Sequence, residues 1–146
     1  MSETFVVCSH CAQKNRIPEG KPIAEARCGR CREALVPTRP VAVDEALFQR
    51  HLAGTAMPVL VDVWAPWCGP CRMMAPEYEK AAARLAPDVL LLKLNADEAP
   101  ATSSRFAVQS IPSLLLFRSG RLVARTAGAM MERQIVDWTQ HALAAS

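Results

Sequence analysis

The sequence predicts an α/β protein with a mixed central sheet, helices on both faces, and a small cysteine-rich unit in front. Three short apolar runs have the composition of buried strands: residues 59–64, 89–95 and 114–118. Helical patterns separate these runs, which predicts a central sheet with helices on both faces. Ser119 and Gly120 then turn the chain into a fourth apolar segment, which predicts an antiparallel hairpin at one edge of the sheet.

The other elements complete the order β-α-β-α-β-α-β-β-α. Residues 41–43 can form a short first strand. Asp44 is a suitable N-cap for a helix that Gly54 ends, with Leu47, Phe48 and Leu52 expected on its buried face. Further helices are expected over 72–85, 101–106 and 131–144.

All six cysteines fall in three pairs, each with two intervening residues. Cys8/Cys11 and Cys28/Cys31 lie close together, and this separation matches a four-cysteine zinc site in which two tight knuckles aim four sulfurs at one ion. Gly29 is expected at a backbone position in the second knuckle that needs unusual torsions. The segment has few large apolar residues, so the metal would supply much of its folding free energy.

These pairs divide the chain into residues 1–36 as a zinc-binding unit, 37–40 as a proline-containing linker, and 41–146 as the α/β domain. Redox-active or disulfide-bonded pairs are the alternative to zinc in the first unit. His10 could replace one cysteine as a ligand, but it lies inside a knuckle.

The third pair, Cys68/Cys71, lies where the buried strand 59–64 is followed by a helix. A helix start presents unpaired N–H groups and the positive end of the helix dipole, which favour a thiolate. Pro70 suits the first helical turn, where a missing N–H has no cost. A second zinc knuckle would need a partner pair after Cys71, and the sequence has none.

The composition of the chain limits the classes of function that it can have. A net charge of +3, reduced to about +1 by one zinc tetrathiolate, is too small to indicate nucleic-acid binding. The chain has no apolar run of the length that crosses a bilayer. Its first residues lack a basic region followed by an apolar one, so no signal peptide is expected and a cytoplasmic location is favoured.

The α/β part of the chain resembles the thioredoxin family, and the resemblance covers nearly the whole chain once the zinc unit is included. The matching segments are 61–65, 67–71, 110–113 and 127–129, of which Trp67-Cys68-Gly69-Pro70-Cys71 is the most specific. Together with the first four cysteines, they resemble the bacterial thioredoxin-2 type, which carries an N-terminal zinc unit. The resemblance implies a thioredoxin fold and a protein-disulfide reductase.

The resemblance also implies roles for the catalytic residues. Cys68 would attack a substrate disulfide as the exposed thiolate, and Cys71, shielded one turn inside the helix, would resolve the mixed disulfide. Asp62 would be a buried proton-transfer partner, and Lys93 would lie near it. The residues alone leave other placements open: Asp62 could point outward at a strand edge, and Lys93 could be a surface lysine.

Substrate would bind beside the dithiol. In the family, the proline that matches Pro112 is cis, and the Ile111 peptide groups pair with an extended substrate segment. An ordinary proline at a strand start is the alternative. The other residues expected to contact substrate are Trp67, Gly69, Pro70 and Gly128, the last because glycine lets a partner's backbone approach closely.

The implied electron donor is an NADPH-dependent flavoprotein reductase, thioredoxin reductase, and the partners are proteins that carry disulfides. The chain has no dinucleotide-binding fingerprint, so no flavin or nicotinamide is expected to bind it. Two alternatives remain: an oxidase or isomerase of an oxidising compartment, and an adaptor or redox-sensing, chaperone-like protein whose zinc unit recognises partners. Gly69-Pro70 between the cysteines resembles the reducing members of the family.

Overall fold

The computed structural model describes residues 3–146. Met1 and Ser2 lie outside the described residues, although they belong to the predicted zinc unit and to the segment in which no signal peptide is expected. The elements are β1 Thr4–Val7, β2 Lys14–Ile17, β3 Val41–Ala42, α1 Glu45–Gly54, β4 Val59–Trp64, α2 Gly69–Leu85, β5 Leu90–Asn95, α3 Pro100–Arg105, β6 Ser113–Arg118, β7 Arg121–Ala127 and α4 Glu132–Ala145. The predicted order of strands and helices is confirmed.

The five-stranded sheet has the order β3-β5-β4-β6-β7. β3, β5 and β4 are parallel, whereas β6 and β7 are antiparallel to their neighbours, so the sheet is mixed as expected. β4 is central and buried along almost its whole length, because it has a strand on each side and helices over both faces. The loop after its carboxyl end leads to the third cysteine pair, with Cys68 at the N-cap of α2 and Cys71 in its first turn.

The alternating side chains of β4 reach two different cores. Val59, Val61 and Val63 pack in the core that contains Phe48 of α1. Leu60 packs in the other core, with Tyr78 of α2. Because side chains alternate along a strand, Asp62 lies on the same face as Leu60, which α2 covers.

The cysteine-rich unit shares a core with the α/β domain. Val6 and Leu35 belong to the same apolar cluster as Phe48. The backbone joins the two parts as well, since Ala56 N donates to Phe5 O at 2.8 Å. The unit therefore packs as part of one hydrophobic core with the sheet, and does not stand apart on a flexible tether.

A buried histidine connects the two parts through hydrogen bonds. His51 is 1% exposed; its Nε2 lies 3.0 Å from Ser9 Oγ, and its Nδ1 lies 2.9 Å from Thr55 Oγ1. Thr55 Oγ1 also accepts from Val7 N. Burial lowers the pKa of His51 to about 4, so the imidazole is neutral.

This histidine corrects the expected packing of α1. Phe48 and His51 are its buried residues, whereas Leu47 and Leu52 are only partly buried. Apolar periodicity cannot identify a histidine whose two ring nitrogens are satisfied by hydroxyl groups on neighbouring segments. The N-cap prediction is confirmed, since the Asp44 carboxylate accepts from Leu47 N at 2.8 Å.

Candidate functional site

Cys68 lies at the N-terminus of α2 and replaces the usual oxygen of an N-cap with sulfur. Cys71 N donates to Cys68 Sγ at 3.2 Å, and Pro70 occupies the first turn as predicted. The two sulfurs form a disulfide, with the Cα atoms 5.2 Å apart. The structure therefore shows the oxidised form, in which a helix N–H already points at the first sulfur.

The two cysteines are almost equally buried in this form. Cys68 is 5% exposed and Cys71 is 3% exposed, so the expected contrast between an exposed and a shielded sulfur is absent. The disulfide accounts for this result, because it holds the Cys68 sulfur against the helix and against Ile111, whose carbonyl oxygen lies 3.7 Å away. The neighbouring Trp67 and Pro70 are exposed.

Asp62 is buried rather than directed outward, with 1% of its surface exposed. Burial raises the pKa of its carboxyl to about 7, and the positive charge of Lys93 opposes the shift. Its Oδ1 has no hydrogen-bond partner among residues 3–146. A carboxyl group with this pKa can exchange a proton near neutral pH.

Lys93 is paired with Asp62 in the parallel register of β4 and β5. Its ammonium group lies 4.6 Å from the centre of the Trp64 ring, a cation–π contact, and it makes no ion pair with Asp62 in the described chain. It therefore acts on Asp62 through space. Tyr78, which the sequence reasoning missed, lies on the same side of the sheet, and its hydroxyl lies 2.8 Å from Leu92 O and 3.1 Å from Leu60 O.

The loop before β6 borders the disulfide. The Ile111–Pro112 peptide bond is cis, and Pro112 O accepts from Gly128 N at 2.9 Å. Gly128 has φ +102° and open space where a Cβ would be, which agrees with a place where another chain could approach. Cys68, Ile111, Pro112 and Gly128 are thus brought together.

Trp67 is 67% exposed, but its ring is held in place. The indole Nε1 donates to Asp97 Oδ2 at 2.9 Å, and Asp97 lies in the short turn after β5. Asp97 could not be predicted from the sequence, because no local pattern links two residues 30 positions apart. Arg72 supports the same loop by donating to Pro66 O at 2.9 Å.

The other four cysteines form one compact cluster. The sulfurs of Cys8, Cys11, Cys28 and Cys31 lie within 4.8 Å of one another, and two of the separations are 3.5 Å. Zinc bound tetrahedrally at about 2.3 Å places its sulfurs about 3.8 Å apart, so the cluster fits this ion. His10 is not among the clustered ligands; it lies 3.6 Å from the Glu33 carboxylate.

The two knuckles have matching backbone geometry. His10 N points at Cys8 Sγ and Arg30 N at Cys28 Sγ, each at 3.4 Å. The prediction for Gly29 is wrong, because the positive φ values fall at Ala12 and Arg32, directly after the second cysteine of each knuckle. Gly29 instead donates its N–H to Asn15 Oδ1 at 2.9 Å.

A disulfide at a helix N-terminus, beside a cis-proline loop and after the strand that carries the buried Asp62, defines a thiol–disulfide oxidoreductase. The profile of the thioredoxin family matches residues 39–141, and the profile of the thioredoxin 2 N-terminal domain matches residues 7–33. The chain belongs to the thioredoxin family, and it carries the N-terminal zinc ribbon of the thioredoxin 2 type.

Comparisons with individual relatives indicate the same family. The chain is 38% identical to thioredoxin C-3 of Corynebacterium nephridii over 139 residues, which cover 95% of each protein. It is 47% identical to a thioredoxin of Alicyclobacillus acidocaldarius subsp. acidocaldarius over 104 residues, covering 68% of this chain and 98% of that protein. The structure of a mutant thioredoxin from Halobacterium salinarum NRC-1 aligns with a TM-score of 0.65 and 30% identity, over 73% of this chain and 92% of that one.

The family and the geometry together establish a disulfide reductase that works through the Cys68/Cys71 pair. The reaction is thiol–disulfide exchange. In the part of the chain that the structure describes, no helix is long and apolar enough to cross a membrane.

Proposed function

We propose that Cys68 is the attacking thiol and Cys71 the resolving one, in a cytoplasmic reductase of protein disulfides. The observation that carries this assignment is the Cys71 N–H directed at Cys68 Sγ at the start of α2. The Cys68 thiolate attacks one substrate sulfur, forming a mixed disulfide and releasing the other as a thiolate. Cys71, once deprotonated, attacks Cys68 Sγ, which releases the second substrate thiol and leaves the Cys68–Cys71 disulfide.

Asp62 accepts the proton that Cys71 loses during resolution and returns it in the reverse direction. Support comes from its position on the sheet face under α2 and from a pKa near 7, which suits proton exchange at neutral pH. Lys93 adjusts that pKa through its charge without forming a hydrogen bond to the carboxylate.

The substrate lies across the loop that contains the cis-proline. Among residues 3–146, the Ile111 backbone N–H and C=O pair with no backbone group, and the carbonyl oxygen has only Cys68 Sγ beside it at 3.7 Å, so an extended strand of substrate could pair with both. Trp67, Gly69, Pro70, Pro112 and Gly128 would line the contact around the sulfur. The cis geometry and the open space at Gly128 support this arrangement.

Cys8, Cys11, Cys28 and Cys31 hold one structural zinc ion. Zinc has no redox chemistry of its own, and four thiolates leave no open coordination position for a substrate. The ion would fix the two knuckles, and the knuckles in turn support α1 through Ser9 and His51. We assign residues 1–36 to this unit, 37–40 to the linker and 41–146 to the thioredoxin domain.

The shared core argues against the zinc unit as a separable adaptor. Deleting residues 1–36 would expose Phe48 and leave His51 without Ser9, so lost activity in a truncated chain would reflect damaged packing. The electron donor would be an NADPH-dependent thioredoxin reductase, and the substrates would be proteins with accessible disulfides. Flavin and nicotinamide would remain with that donor.

Reduction of insulin with dithiothreitol as electron source tests the assignment. We expect Cys68→Ser to abolish turnover and Cys71→Ser to stop after one mixed disulfide per chain. Cys11→Ser is a matched control, since it removes a thiol outside the dithiol and should lower stability while turnover of the folded fraction continues. Full turnover by Cys68→Ser would overturn the proposal.

A further inference from the structure

A cavity of about 370 Å³ lies between the cysteine-rich unit and the α/β domain. Its charged lining comes from His10 and Glu33 beside the two knuckles, Arg39 before β3, Glu79 of α2 and Lys93 of β5. Small-molecule sites in proteins have volumes of roughly 300–1,000 Å³. Neither the dithiol nor the cis-proline loop lines this cavity, so the proposed reduction leaves it without a role.

The ionic groups of this cavity are incompletely paired. His10 lies 3.6 Å from the Glu33 carboxylate, so Glu33 has a partner within the cysteine-rich unit. The side chains of Arg39 and Glu79 form no hydrogen bond or ion pair within residues 3–146. Lys93 likewise forms no ion pair in this part of the chain. Two cations and one carboxylate therefore line the cavity without an ionic partner.

The rest of the lining is mainly apolar and is held in place. It includes Pro37, Pro40 and Val41, and each proline ring fixes its own φ angle. The chain is anchored on both sides of this segment, because Val36 is buried and β3 pairs with β5. A cavity whose walls are fixed before binding loses less conformational entropy when a ligand enters.

A ligand with charges of both signs matches this lining best. An ion of one sign would meet a like charge, either at Arg39 and Lys93 or at Glu79. We propose that the cavity binds a small zwitterion of the apolar α-amino acid class, with its carboxylate beside Arg39 and Lys93 and its ammonium group beside Glu79. The apolar side chain of the ligand packs against the two prolines.

Lys93 connects this cavity to the proposed proton-transfer group. It pairs with Asp62 in the register of β4 and β5, and its charge lowers the pKa of that carboxyl. Tyr78 of α2 also interacts with Asp62, but burial raises the pKa of Tyr78 so far that it stays protonated. A ligand carboxylate beside Lys93 offsets the lysine charge, so bound ligand raises the Asp62 pKa and ionised Asp62 weakens ligand binding. The relevance of this coupling to reduction rests on the proposed role of Asp62, whereas binding of the zwitterion does not.

Isothermal titration calorimetry of the oxidised protein with leucine at pH 7.5 tests the proposal. N-acetyl-leucine and leucinamide are probes that each lack one of the two charges. We expect leucine to bind with a Kd of about 1 mM or below and each blocked probe to bind about tenfold more weakly. Arg39→Gln should weaken leucine binding about tenfold and Glu79→Gln about threefold. Arg121→Gln and Asp88→Asn are matched controls outside the cavity, and they should leave the Kd unchanged.

Leucine binding that is undetectable at about 10 mM, or that both blocked probes equal, would overturn the proposal. Thermal unfolding separates lost binding from a damaged fold. Because Arg39 and Glu79 have no side-chain partners in the described chain, both variants should melt at the temperature of the parent.

The coupling has its own test at the same pH, where most of Asp62 is ionised. Asp62→Asn should bind leucine about twofold more tightly, because Lys93 then has no competing carboxylate. An unchanged affinity would overturn the coupling and leave the binding site in place. Titration of the oxidised protein involves no turnover, so absence of leucine binding would not affect the proposed reduction, which the insulin assay tests separately.

Discussion

Asp62 should make the protein less stable as the pH rises through neutrality, and Asp62→Asn should remove that dependence. The carboxyl has a pKa of about 7 in the folded protein and 3.8 ordinarily. A raised pKa means that folding favours the protonated form, so the stabilising contribution is complete below pH 4 and is lost as the pH rises towards 7. About three pKa units correspond to roughly 4 kcal/mol in total.

The measurement is denaturant unfolding of oxidised wild-type protein and oxidised Asp62→Asn between pH 5 and pH 8. The disulfide prevents Cys68 and Cys71 from titrating, and the zinc cysteines and His51 contribute equally to both proteins. We expect the free energy of unfolding of the variant, relative to wild type, to increase by about 2.5 kcal/mol across this range. Any cost of burying the asparagine amide is constant with pH, so it does not alter this slope.

A difference that stays flat between pH 5 and pH 8 would refute the reasoning. It would mean that the folded-state pKa of Asp62 is not raised above its ordinary value, which is inconsistent with a carboxyl that is 1% exposed and has an unpaired oxygen. Lys93→Met is a second variant for the same unfolding measurement. It should raise the Asp62 pKa further because it removes the opposing charge.

Three other predictions concern the supports of the site. Asp97→Ala should release the Trp67 ring, lowering its fluorescence anisotropy and reducing the insulin rate several-fold, whereas Asp97→Asn keeps an acceptor and should retain most of both. His51→Ala should lower the free energy of unfolding by about 3 kcal/mol in denaturant titrations, because Ser9 and Thr55 lose a buried hydrogen-bond partner. A loss below about 1 kcal/mol would contradict a stabilising role for these two hydrogen bonds. Metal analysis should find one zinc ion per chain, and a strong chelator should lower the unfolding midpoint; a metal-free protein of equal stability would contradict a structural ion.

Much of the fold could be predicted because its local signals agree with its tertiary structure. β4 is a short apolar run with a single acid, its partners have the same composition, and Asp44 caps α1 as its residue type suggests. The two kinds of cysteine pair were separable from spacing alone. Buried strands and metal knuckles are specified by residues that are close in sequence, so both can be predicted from the sequence.

The features that escaped prediction depend on contacts between distant segments. Nothing near His51 indicates that the hydroxyl of Ser9, 42 residues away, will form a hydrogen bond with its ring. Asp97 reaches Trp67 only after β4 and β5 pair, and the positive φ values at Ala12 and Arg32 follow from knuckle geometry rather than from glycine content. Equal burial of Cys68 and Cys71 follows from the disulfide, which residue types alone do not determine.

The central claim is that Cys68 attacks and Cys71 resolves. The most direct test is peptide mapping by mass spectrometry of the mixed disulfides that Cys71→Ser and Cys68→Ser form with oxidised insulin under identical conditions. We predict that Cys71→Ser accumulates an insulin adduct on Cys68, while Cys68→Ser forms essentially none. An adduct on Cys71 that forms as fast as the one on Cys68 would contradict the claim.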